Sequence, residues 1–205
     1  YHGKTVCEFG FGKGEFMEAV APFCRTINGV ELNTDHLARI SKKGFAVAQD
    51  LNQFNKREYD TIFLFHTFEH LPDPLNKLNQ IRKKLKPGGK VIIEVPHARD
   101  FLLSDDFNCD AFKSHTLWSQ HLILHTRQSL SVMLAACSFK DILVEGIQRY
   151  PLSNHLQWLA KGTPGGHLSN FSSVDNELLS AAYEMALAKN DATDTIIATA
   201  TVEQF

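Results

Sequence analysis

Three features of this sequence predict an α/β fold, doubly wound as a three-layer sandwich around a mostly parallel sheet. Strand-like and helix-like segments alternate through the first two-thirds of the 205 residues, the signature of repeated βαβ units. The run Tyr59-Asp60-Thr61-Ile62-Phe63-Leu64-Phe65 is apolar almost throughout, as a strand covered on both faces must be. The first strand, Val6 to Phe9, opens into alternate glycines, Gly10, Gly12 and Gly14, and then the amphipathic run Glu15 to Val20. That is a strand, a glycine turn and a helix start in immediate succession.

The remaining elements follow in order. Thr26 to Val30 is a second strand ending at Glu31, and Thr34 to Lys43 has helical spacing through Leu37 and Ile40, with Asn33 or Thr34 as cap and Gly44 as stop. Phe45 to Ala48 is a third short strand and Tyr59 to Phe65 the fourth. Leu75, Leu78, Ile81 and Leu85 mark a helix with Pro74 in its first turn, broken at Pro87-Gly88-Gly89, and Val91 to Val95 is the fifth strand. Residues 97–125 lack a clean period and are expected to form a loop or lid. Thr126 caps a helix over Arg127 to Cys137, and Asp141 to Ile147 is the sixth strand. Residues 151–173, with Pro151, Gly162, Pro164, Gly165 and Gly166, again read as irregular; a helix follows over Val174 to Ala188, and Asp194 to Val202 is a β-branched last strand.

Composition narrows the class. With 43% hydrophobic and 21% charged residues and a net charge of −2, the sequence reads as one globular domain spanning 1–205. The lone basic cluster, Arg82-Lys83-Lys84 with Lys86, closes a helix where cations complement the dipole, so no nucleic-acid partner is expected. Cys7, Cys24, Cys109 and Cys137 form no C-x-x-C pair and read as reduced thiols of a cytoplasmic protein. No apolar run approaches spanning length and the first residues do not resemble a signal peptide, so no membrane span is expected.

The glycine turn also reads as a nucleotide cradle, because residues without Cβ let the backbone close on a ligand. Glu31 then stands where a carboxylate can accept hydrogen bonds from ribose hydroxyls. A dinucleotide fingerprint needs glycine at position 15, where this chain has Glu15. An acid just ahead of the loop, Glu8, would also repel a pyrophosphate, whereas it suits a ligand carrying positive charge.

Glu8-x-Gly10-x-Gly12-x-Gly14 resembles the first motif of class I S-adenosylmethionine-dependent methyltransferases, whose cofactor carries an ammonium and a sulfonium. Four further stretches resemble that family in order: Glu31 after the second strand, Asp50-Leu51 after the third, Phe65 to Pro74 with its EH-x-P-D-P pattern after the fourth, and Leu85-Lys86-Pro87-Gly88-Gly89 before the fifth. Ser119-Gln120-His121-Leu122 resembles a substrate-side histidine segment, and Ser138-Phe139 the turn before the sixth strand. The resemblance covers about Lys4 to Val202. It implies a Rossmann-like, seven-stranded sheet with an antiparallel last strand, and methyl transfer from S-adenosylmethionine to a small-molecule acceptor. It assigns cofactor contact to Glu8, Phe9, Gly10, Gly12, Gly14, Glu31, Leu32, Asp50, Leu51 and His66.

Some features depart from the pattern. The family's helix ahead of the first strand is not visible, Ser138 stands where glycine is common, which is harmless if that residue keeps φ negative, and the span from Pro151 to Asn190 is long for the usual hairpin. Residues 97–125 and 151–190 are therefore expected to be substrate-specific elaborations. His66-x-x-Glu69-His70 also spells a zinc-protease pattern, but Pro72 and Pro74 leave no sustained helix to present both histidines. Some ubiquinone-pathway O-methyltransferases, which this segment resembles, carry acids and a histidine here that hold a divalent metal; His66 replaces one of those acids, and no metal is expected. Among the ten histidines, His121 and His125 are the candidate general bases, with His155 next, and Trp118 and Trp158 are candidate walls of an acceptor pocket. An NAD-dependent oxidoreductase and a non-catalytic nucleotide-binding module are the competing readings.

Overall fold

The computed structural model describes residues 2–55 and 57–204. In chain order its elements are β1 (Thr5–Phe9), α1 (Glu15–Val20), β2 (Thr26–Val30), α2 (Thr34–Lys42), β3 (Ala46–Ala48), β4 (Tyr59–Phe65), α3 (Pro74–Lys84), β5 (Leu85–Pro96), α4 (Asp110–Thr116), α5 (Arg127–Ala136), β6 (Lys140–Ile147), α6 (Leu152–Lys161), α7 (Glu177–Lys189) and β7 (Thr195–Thr201). The strands form one seven-stranded sheet in the order β3-β2-β1-β4-β5-β7-β6. All pairs are parallel except those of β7, which runs antiparallel to β5 and β6. The order reverses between β1 and β4, which opens a crevice at their carboxyl ends, the place where such sheets bind ligands.

Alternation along the central strands divides the core in two. Cys7, Ile62, Leu64, Val91 and Ile93 join Leu78 and Ile81 of α3 and Leu130 and Leu134 of α5 on one face. Val6, Phe63 and Ile92 meet Phe16 and Met17 of α1 and Leu37 and Ile40 of α2 on the other. The helix starts are set locally. The Asn33 side chain accepts from the amides of Asp35 and His36; Pro74 occupies the first turn of α3, where no amide partner is needed; and Thr126 and Ser129 cap α5 reciprocally.

The structure corrects several sequence expectations. Residues 97–125 are not a bare loop: they contain a short 3-10 turn at Phe101–Leu103 and the helix α4, whose seven mostly polar residues are too few to show a period. Residues 151–173 contain α6 and two 3-10 turns, Gly166–Leu168 and Asn170–Val174. Pro151 and Gly162 read as loop residues, yet they bracket α6, and Gly162 closes it at φ 67°. Strand β5 starts six residues earlier than Val91, with the irregular register opposite Tyr59 and Thr61 absorbing Pro87-Gly88-Gly89. Ser138 has φ 62°, not a negative value, because it makes the left-handed turn that ends α5 and lets the Phe139 amide reach Leu134 O at 3.1 Å.

Candidate active site

The glycine loop leaves β1 with Gly10, Gly12 and Gly14 all at positive φ, 80°, 50° and 73°, a conformation that glycine adopts without strain. Two of them are also packed against neighbours. A Cβ on Gly10 would come within 2.2 Å of Thr67 Oγ1, and one on Gly14 within 2.5 Å of Ile40 Cδ1, whereas a Cβ on Gly12 would meet nothing within 4 Å. Space is thus open in front of Gly12. The Gly12 amide donates to Glu31 Oε2 at 2.8 Å, and Glu31 Oε1 receives the amides of Leu32 and Asn33, so the carboxylate at the end of β2 is fixed toward the loop.

Glu8 lies beneath the loop, 4% exposed, with Oε2 lacking a hydrogen-bond partner. Burial drives its carboxyl up to about 8, against the opposing hydrogen bond from the Met17 amide at the start of α1. A buried carboxyl with an unfilled oxygen fits a cationic ligand group nearby. Asp50 turns its side chain to the Asn52 amide at 2.7 Å. Leu51 is wholly buried in the core, Phe9 is buried at the strand end, and Leu32 is 79% exposed on the rim.

His66 connects this cradle to a second space. It follows β4 at φ 46°, held by its amide to Glu94 O at 2.9 Å. Its ring lies 3.1 Å from Glu94 and 3.7 Å from Glu69, and Arg149 Nη1 abuts it. Burial acts against a charge on His66, but the two carboxylates outweigh it and raise the imidazole to about 9. Beyond His66 lies a cavity of about 750 Å3 whose walls include Trp118, His121, Arg149, Tyr150, His155 and Trp158. The volume is in the range of small-molecule sites.

Of the two histidines expected as bases, His121 lines this cavity and His125 does not. His125 is 0% exposed, its ring against Phe68, and burial lowers its pKa to about 4. His121 Nδ1 donates to Thr116 O at 2.7 Å, which leaves Nε2 as the free acceptor. His70 is oriented in the same way by Gln120 O at 2.7 Å. These two rings and Glu69 converge, with one ligand atom from each lying within 4.8 Å of the others. Glu69 is 1% exposed and neither of its carboxylate oxygens has a hydrogen-bond partner. A buried carboxylate and two imidazoles pinned through Nδ1 are a donor set that suits a divalent cation. The sequence expectation named no metal; the fold brings together 50 residues of chain separation to make this cluster.

Sequence reasoning did not single out Glu94, Asp100, Arg149 or Asp194. Asp100 lines the cavity with its carboxyl raised to about 7 by burial. Asp194 receives the amides of Arg149 and Tyr150 and the Gln148 side chain at 2.9–3.1 Å. The one signal available for Arg149 was its place just after the sixth strand, where a loop must sit above the sheet's ligand-binding edge.

The family described as "Methyltransferase domain" matches residues 2–144. The chain is 29% identical over 101 residues to a ubiquinone biosynthesis O-methyltransferase of Pseudomonas paraeruginosa, covering 44% of each, so it spans less than half the length of that relative. Among solved structures it resembles a SAM-dependent methyltransferase from Archaeoglobus fulgidus, with a TM-score of 0.66, 19% identity and 97% and 86% of the two chains covered. It also resembles Haemonchus contortus phosphoethanolamine N-methyltransferase 2 in complex with S-adenosyl-L-methionine, with a TM-score of 0.64, 19% identity and 99% and 49% covered. At these identities the structural likeness speaks for the fold. The family match spans more than two-thirds of the sequence, and on it the chain belongs to the methyltransferase domain family.

Proposed function

We propose that the chain binds S-adenosylmethionine in the glycine cradle and transfers its methyl group to a small-molecule acceptor in the adjoining cavity. The carrying observation is the junction at His66: the loop that packs on Gly10 through Thr67 also supplies a wall of the 750 Å3 cavity. When bound, S-adenosylmethionine supplies a methyl on a sulfonium, and the C–S electron pair returns to sulfur on transfer. The protein's part is alignment and exclusion of water. Glu31 receives the ribose hydroxyls, Glu8 faces the cationic end, and Glu8, Phe9, Gly10, Gly12, Gly14, Leu32, Asp50, Leu51 and His66 shape the cradle. For a hydroxyl acceptor, His121 Nε2 takes the proton as the oxygen attacks. Acceptor choice lies in 97–125 and 151–173, which supply most of the cavity wall. The free cysteines support a reducing, cytoplasmic setting, and among the described residues no helix is long and apolar enough to cross a membrane.

The buried Glu69 carboxylate, which has histidines at 3.7 and 3.9 Å but no hydrogen-bond partner, favours a second reading of the same site. Glu69, His70 and His121 would hold a divalent cation, which supplies Lewis-acid polarisation of an acceptor oxygen; His121 is then a ligand, not a base. Calorimetry with S-adenosylhomocysteine and with NAD tests the main reading. S-adenosylhomocysteine should bind and NAD should not, and Gly12→Val should abolish binding by filling the space before the loop. Tight NAD binding with no response to S-adenosylhomocysteine would sink it. Elemental analysis after dialysis, with and without chelator, separates the two roles of His121.

A further inference from the structure

We propose that the methyl acceptor carries an anionic oxygen group, a carboxylate or a phosphoryl, and that the Arg149 guanidinium receives it; the inference rests on the cavity being the acceptor site. Arg149 is the lone lysine or arginine among the described residues of the cavity wall, whose other members are histidines, aromatics, two aspartates and uncharged residues. Its position is fixed from behind. Its own amide and that of Tyr150 donate to the Asp194 carboxylate, and Gln148 bonds Asp194 in both directions, at 2.9 and 3.1 Å, so the 148–150 segment is clamped to the head of β7.

The guanidinium projects forward from that clamp. Its carbon lies 5.8 Å from the centre of the Tyr150 ring, and Nη1 lies against His66 and 3.7 Å from Glu94. At 3.7 Å the Glu94 contact is an ion pair without a hydrogen bond, and Glu94 is closer to His66, at 3.1 Å. Nη2 and Nε have no hydrogen-bond partner among the described residues. An arginine presents its donors as a planar fork that matches carboxylate and phosphoryl oxygens two at a time. The two acids on the wall do not fill that fork: Asp194 is engaged by the clamp, and the Asp100 side chain receives the Leu102 amide at 2.8 Å. Trp118 and Trp158 line the same cavity, so the acceptor's body is apolar or planar while its charged end meets Arg149.

The chain's two tryptophans are both on this wall, so intrinsic fluorescence reports on the site directly. With S-adenosylhomocysteine present, 4-hydroxybenzoate and phenyl phosphate are titrated against the neutral 4-hydroxybenzamide and phenol. At least one anion should bind tenfold or more tightly than its neutral counterpart, and whichever anion binds tells carboxylate from phosphoryl. Arg149→Gln should remove the preference, by tenfold or more for a charged hydrogen bond, and Arg149→Lys should restore part of it, with unfolding midpoints measured for each. No anion preference in the wild type, or the same preference in Arg149→Gln, overturns the proposal. S-adenosylhomocysteine affinity is read in the same samples: its absence defeats the methyltransferase reading, whereas its presence without anion preference defeats only this one.

Discussion

Replacing Glu8 by glutamine should make the ligand-free protein more stable at neutral pH while weakening its hold on the cofactor. The Glu8 carboxyl is raised from 4.5 to about 8 by burial beneath the glycine loop. The folded chain therefore holds a proton that the unfolded chain releases, and stability is lost as pH rises from the unfolded value toward the folded one. The slope in that window is about 1.36 kcal/mol per pH unit. Between 4.5 and 7 this amounts to about 3 kcal/mol, and the loss levels off above about 8. Glutamine keeps the shape and is neutral in both states, so Glu8→Gln lacks this slope. For a domain of this size the variant's Tm should exceed that of the wild type by about 6–12 °C at pH 7 and by little at pH 4.5. The assay is thermal unfolding of both proteins from pH 4.5 to 8.5 without ligand. Parallel curves across that range would refute the reasoning. The same geometry requires S-adenosylhomocysteine, whose ammonium favours an ionised Glu8, to release a proton on binding at pH 7. Calorimetry in buffers of different ionisation enthalpy measures that proton, and Glu8→Gln should not release it.

Two further predictions concern the ends of neighbouring elements. Glu31→Ala should weaken S-adenosylhomocysteine by about 1.5–3 kcal/mol, because it removes the ribose acceptor and also frees the amides of Gly12, Leu32 and Asn33; an unchanged affinity by calorimetry would exclude Glu31 from the cradle. Ser138→Gly should raise stability by about 1 kcal/mol, since a side chain at φ 62° is strained where glycine is not; urea unfolding would show the midpoint move upward, and a fall would mean that the serine side chain supports the turn.

The sequence by itself determined the sheet and the glycine loop. Both rest on short-range rules: apolar runs such as Tyr59 to Phe65 must be covered on both faces, glycine takes the positive φ at Gly10, Gly12 and Gly14 without strain, and caps such as Asn33 and Thr126 act within one turn of chain. All seven strands are legible on those terms, as is the acid at the end of β2. The cavity side was not legible. Helix α6 was hidden because proline and glycine mark helix ends and loops alike, and α4 because seven residues carry no period. His121 and His125 are four residues apart and indistinguishable by type, yet one reaches the cavity and the other is sealed in the core, its backbone bridged to His97. The convergence of Glu69 and His70 with His121, and of His66 and Glu94 with Arg149, joins segments separated by 50 residues or more. Only the closing of the chain over the carboxyl ends of the strands sets those distances, because no local rule fixes where a side chain meets a partner that far along the chain.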